Sequence, residues 1–178
     1  MCLYGGYQLP GIKYEFDLSD VPDRCDIIIY GYYVFDMHTE VDSYVAEEDK
    51  NALRSLTTIQ KPIYIICLYS NDNPWDVLNK TDNNNYNSDA DVLLNFLTEF
   101  KISGVILSIE DLYSKPKGLD SRVNSFAQYF KEKLPNFKVG LEIDATTYSN
   151  FSDKNKFNFK ITNEYIDYYI IDMLPGDT

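Results

Sequence analysis

The sequence predicts an α/β fold, an incomplete (β/α) barrel of TIM type with about six parallel strands, in a single domain over residues 1–178. Three observations carry this. Six short apolar runs rich in Ile, Val and Tyr recur along the chain. Each is nearly continuous rather than alternating, the mark of strands buried on both faces, as in parallel sheets. Helical patterns lie between them, and strands alternating with helices imply right-handed βαβ units. No strand is followed by a Gly-rich phosphate loop: "LYGGYQLPG" lacks both the GxGxxG spacing and a helix opening after it. A barrel therefore fits better than a doubly wound sheet.

The runs are "CLYGGY" (2–7), "DIIIYGYYVF" (26–35), "PIYIICLY" (62–69), "SGVILSIE" (103–110), "FKVGLEID" (137–144) and "DYYIIDML" (167–174). Between the third and fourth, Leu93, Phe96, Leu97 and Phe100 follow i, i+3, i+4, i+7, which predicts a helix over 91–102. Val123, Phe126, Ala127 and Phe130 repeat that spacing and predict a second over 119–134, stopped by Pro135. Asp89 and Asp120 are the expected N-caps. Weaker patterns suggest helices over 46–58 and near 159–165. The stretch 71–90, "NDNPWDVLNKTDNNNYNSDA", is Asn/Asp-rich and reads as a surface excursion after the third strand. A complete eight-stranded barrel needs about 250 residues. Strands seven and eight are absent from this sequence, so either it is a fragment of a longer barrel or the open edges are covered by something else.

Composition excludes several function classes. With 28 acids against 16 bases and a net charge of −12, the chain would repel nucleic-acid phosphates and anionic membranes. A solvated acidic surface accounts for that charge. No apolar run is long enough to span a bilayer, so no membrane insertion is expected. The N-terminus lacks the pattern of a signal peptide, so the chain is cytosolic or the sequence begins after a removed signal. Sixteen Tyr beside one Trp suit half-buried packing and equally a binding surface. Of three cysteines, at least one is unpaired. Cys67 lies inside an apolar strand, where it behaves as a small hydrophobe. Cys2 and Cys25 each sit at the mouth of an apolar run, which would suit a bridge between neighbouring strand starts, but the count alone does not fix the pairing.

Read in order, the strands resemble the family 18 glycoside hydrolases, the chitinases and chitinase-like lectins. "CLYGGY" resembles the family's first strand, CYYTNW, and "RCDIIIYGYYVFD" its second, CTHIIYAFA. "KPIYIICLYS" is similar to the third-strand motif LLSIGG, "ISGVILSIEDLY" to FDGIDIDWEYP on strand four, and "EYIDYYIIDMLPGD" to YLDFIHVMTYD on strand six. The resemblance implies a disulfide between Cys2 and Cys25, and with it secretion to an extracellular compartment. The sequons at Asn79 and Asn150 would then be glycosylation sites.

The same resemblance implies a lost active site. The family's DxxDxDxE pattern places its acid at Glu110, but its three Asp positions fall on Ser103, Ile106 and Ser108. Its MTYD Tyr and Asp fall on Leu174 and Pro175, and its small third-strand residues on Cys67, Tyr69 and Ser70. Strand alternation agrees independently: Ile106, Ser108 and Glu110 share the lumen face, while Val105, Leu107 and Ile109 face the helices. A general acid needs a poised carboxylate partner, and this strand supplies none. Glu142, Asp144 and Asp172, at the C-terminal ends of strands five and six, are the candidate replacements; otherwise they simply meet solvent. His38, beside Asp36, Glu40 and Asp42, is a single histidine and poor evidence for a metal site. No metal and no cofactor is expected.

The expected function is that of a catalytically inactive, secreted chitinase-like protein that binds a glycan or a protein partner, with Tyr32, Tyr69, Trp75 and Tyr113 as candidate contacts. Trp75 could equally anchor its own loop. Two alternatives stand beside it. One is a glycoside hydrolase using Glu110 and a relocated carboxylate. The other is a structural protein that forms a homo-oligomer through open barrel edges.

Overall fold

The computed structural model of the chain describes residues 1–4, 18–35, 47–69, 88–109, 119–144 and 158–172. Six strands form one sheet: β1 (Cys2–Tyr4), β2 (Ile28–Phe35), β3 (Ile63–Tyr69), β4 (Gly104–Ile109), β5 (Lys138–Asp144) and β6 (Tyr168–Asp172). They lie in sequence order, every neighbouring pair is parallel, and the sheet curls into a half-barrel. Consecutive order excludes the reversal that defines a doubly wound sheet. Among the described residues four α-helices lie in the crossovers from β2 to β6: α1 (Glu47–Leu56), α2 (Ser88–Glu99), α3 (Leu119–Lys133) and the single turn α4 (Phe159–Thr162).

The inner strands β2 to β5 are buried on both faces, as their continuous hydrophobicity requires. The helix-facing rows contribute Ile28, Ile63, Ile65, Val105, Leu107, Val139 and Leu141 to one large core. The helices meet them with Leu53, Leu93, Leu97, Val123, Phe126 and Phe130. The opposite, concave face forms a smaller cluster of Ile29, Tyr64, Ile66 and Ile106, with Ile27, Tyr168 and Ile170 partly buried against it. Val105 and Leu107 thus face the helices and Ile106 the lumen, as strand alternation requires.

Helix α2 starts at Ser88, ahead of the expected 91, whereas α3 starts at Leu119 as expected. Asp89 and Asp120 fall one place inside their helices instead of capping them from outside. The Asp120 carboxylate accepts the Ser121 N–H at 3.2 Å, still at the end where the helix dipole favours an anion. Helix α2 stops at Glu99 although no Gly or Pro follows. Lys101 takes a left-handed φ of 51°, and the Ile102 N–H donates to Leu97 O at 2.8 Å, closing the carbonyl end. Helix α3 ends at Lys133, just ahead of Pro135, and Asn136 makes the left-handed turn at φ 64°. Asn158 caps α4 by accepting the Lys160 N–H at 3.1 Å.

Asp167 ties the N-terminal end of the sheet together. Its carboxylate accepts from Lys131 Nζ of α3 at 2.7 Å, from Lys138 Nζ at 2.9 Å and from the Val139 N–H at 2.9 Å. Its own N–H donates to Val139 O at 2.8 Å. Burial alone would raise this carboxyl's pKa, but the two ammonium groups and the amide outweigh it and hold it below the usual carboxylate range.

Candidate functional site

Ligands of parallel barrels bind at the C-terminal ends of the strands, on the concave side. The floor beneath that mouth is built from two tyrosines and two glycines. Tyr64 of β3 and Tyr168 of β6 lean inward from either side of β4 and β5 and stack, with centroids 6.0 Å apart and planes 14° from parallel. Room for them comes from Gly104 and Gly140. A Cβ on Gly104 would lie 2.8 Å from the Tyr64 ring, and one on Gly140 would lie 2.4 Å from the Tyr168 ring. The Tyr168 hydroxyl is buried with no hydrogen-bond partner among the described residues. Burial, with Tyr64 beside it, pushes that phenol well above its ordinary pKa. The sequence reading missed this floor. The signal was there, since a glycine inside an apolar strand marks a close approach.

Above the floor the β4 row turns polar. Ile106 is 1 % exposed and Ser108 4 % exposed, so strand four offers the lumen a methyl-bearing side chain and a hydroxyl. In register, Ser108 pairs with Glu142 of β5, and Glu142 with Ile170 of β6. Glu142 is partly buried. One layer higher, Asp144 and Asp172 are register partners at the ends of β5 and β6. The three candidate acids therefore occupy one row pair at the strand ends of adjacent strands. Among the described residues, no three His, Cys, Asp or Glu cluster closely enough to hold a metal ion.

Tyr32 pairs in register with Ile66, just past a register shift in β2. Tyr69, the last residue of β3, pairs in register with Phe35 of β2. Glu110, Trp75, Tyr113, His38, Ser70 and the sequons at Asn79 and Asn150 lie outside the described residues. Cys67 is free, fully buried against the helices and held protonated by that burial, so it is no nucleophile. Cys2 and Cys25 are joined by a disulfide with Cα atoms 5.6 Å apart.

Solved structures similar to this chain include family 18 chitinases. The chain is similar to a family 18 chitinase from Pseudoalteromonas aurantia, at 12 % identity and a TM-score of 0.59, over 85 % of this chain and 61 % of that one. Catalytic domain 2 of the Ostrinia furnacalis Group II chitinase, solved with a chitooligosaccharide, matches at 15 % identity and a TM-score of 0.63, over 96 % of this chain and 49 % of that one. A fungal endo-β-N-acetylglucosaminidase of family 18 matches at 11 % and 0.58, over 98 % and 67 %. The chain spans between about half and three fifths of the two chitinases' length. No protein-family model and no curated protein sequence matches it. At these identities the likeness defines the fold: a chitinase-like (β/α) half-barrel.

Proposed function

We propose that this chain is a chitinase-like protein without glycosidase activity that binds a glycan at its strand-end mouth. One observation carries the reading. Where the family resemblance expects acidic side chains on strand four, Ile106 and Ser108 are buried in the concave face. Neither can poise or orient an acid at the next lumen position, and substrate-assisted hydrolysis needs such a group to hold the N-acetyl arm. Binding needs only shape, hydroxyl partners and ring faces. Glu142 supplies an acceptor, and Tyr32 and Trp75 are the candidate stacking platforms. The Cys2–Cys25 bond supports an extracellular location, since disulfides persist in oxidising compartments. In that setting Asn79 and Asn150 would carry glycans, and a protein partner would take the same mouth if oligosaccharides do not.

One observation favours a second reading, hydrolysis by Glu110 with a relocated carboxylate. Glu142 stands beside Ser108 in register, next to the position strand four has lost. A single experiment separates the two: titrate N-acetylglucosamine oligomers by calorimetry and assay their cleavage, for wild type, Glu110→Gln and Glu142→Gln. The binding reading expects saturable affinity, no turnover, and weakening of about tenfold for Glu142→Gln, the loss of one charged hydrogen bond. Turnover abolished by either substitution would replace it with the enzyme reading, and no affinity for any oligomer would remove the glycan from both.

A further inference from the structure

Among the described residues the half-barrel has two edges, and the one at β1 is unusually thin. Strand β1 has three residues and pairs only with Ile28, Ile29 and Tyr30 of β2. Its Leu3 is 61 % exposed, as is Met1 just before it. Two bonds fix it at its start, the Cys2 N–H to Ile27 O at 2.9 Å and the disulfide to Cys25. Cys25 is fully buried, and its loop is held by Lys61 Nζ, which donates to Pro22 O at 3.2 Å and Asp23 O at 3.0 Å. The disulfide therefore anchors a weak strand to a firm loop.

Strand β1 covers residues 28–30, the first part of an aggregation-competent sequence. Residues 27–35, "IIIYGYYVF", are nine in a row without a charge or a proline, all but one β-branched or aromatic. Segments of that composition pair with copies of themselves when a strand edge is exposed. The chain's net charge of −12 opposes self-association elsewhere, but none of it lies in this stretch.

We infer that the Cys2–Cys25 bond is a redox clasp: reduction releases β1 and opens the edge of β2, where a second copy of this chain docks by strand pairing. The step balances with a dithiol as reductant. Its thiolate attacks Sγ of Cys2, the partly exposed partner, and the electron pair of the S–S bond leaves on Cys25 Sγ, which takes a proton. The second thiol then closes the reductant into a disulfide and frees Cys2, so the protein gains two electrons and two protons. Edge pairing fits a second copy because the exposed strand is its own best complement.

Reduction of the folded protein by dithiothreitol tests this, followed by hydrogen exchange and light scattering. Exchange at Cys2–Tyr4 and at the β2 amides facing β1 rises about tenfold or more, while β4 and β5 keep their protection. The mass rises from 20.7 kDa to a dimer or above with increasing concentration, and reoxidation restores the monomer. Val34→Lys, a charge inside the pairing stretch, lets β1 open on reduction but keeps the chain monomeric. Unchanged exchange at β1, or loss of protection spreading to β4 and β5, overturns the clasp. A monomer after opening, equal association of the oxidised protein, or association of reduced Val34→Lys overturns the docking of a second copy at β2.

Discussion

Gly140 shows how much of the lumen's geometry rests on one missing atom. Its position on β5 pairs with Tyr168 on β6, and the Tyr168 ring lies where a side chain would stand. A methyl group there would sit 2.4 Å and 2.7 Å from two ring carbons, and a third contact, to Ile106, would lie at 3.4 Å. The ring cannot simply retreat, because Tyr64 stacks against it. Gly140→Ala should therefore destabilise the fold by about 1–3 kcal/mol, the cost of overpacking a filled core, despite the entropic advantage of alanine over glycine. Urea denaturation reads this as a lower midpoint with an unchanged slope. Gly140→Ala combined with Tyr168→Ala should show a coupling that offsets part of the clash. An unshifted midpoint for the single variant would mean that the tyrosine floor is not packed as described.

At the scale of elements, Asp167 joins helix α3 to strands β5 and β6, and its ionisation sets a pH window. Its carboxyl is depressed in the fold, so its contribution is present above the unfolded carboxylate value of about 3.9 and lost as pH falls through the lower folded one. Lys138 is raised by the same pairing, so its share is present below the unfolded value of about 10.4 and lost as pH rises through the folded one. Lys138 is half exposed, and water screens that arm; the Lys131 and Val139 bonds carry more. Asp167→Asn should cost about 1–2 kcal/mol at pH 7, and the gap from wild type should be smaller at pH 3. An equal gap at both pH values would refute the assignment to charge. Such ties are not legible in a sequence, because Asp167 and Lys131 sit 36 positions apart and only the βαβ crossover brings them together. What was legible is what periodicity encodes. The six apolar runs place every strand, and Phe96, Phe100, Phe126 and Phe130 place the two long helices on their buried faces. The end of α2 was less legible, because the left-handed residue is Lys101, not a glycine. On the concave face, alternation placed Ile106 correctly, while the inward lean of Tyr64 and Tyr168 depends on glycines from two other strands.

For the molecule as a whole, an open half-barrel has no closed ring to share stability evenly, so its strands should differ in how readily they open. Strand β4 has neighbours on both sides, and its Val105 and Leu107 are fully buried between β3, β5 and the helices. Phe126, Phe130 and Phe137 pack against one another in the same core cluster. Strand β6 has one strand neighbour among the described residues, and its Ile171 is 59 % exposed on the helix-facing row. Strand β1 also has one, and it is shorter. Local opening free energies follow buried apolar contact and ladder pairing on both sides. Native-state hydrogen exchange under oxidising conditions should accordingly find the slowest amides in β4 and the adjoining strands β3 and β5, intermediate ones in β2, and the fastest in β6 and β1. Uniform protection across all six strands would contradict this ranking. It would mean that something outside the described residues closes the edges, and the mouth would then be walled on the side where the half-barrel leaves it open.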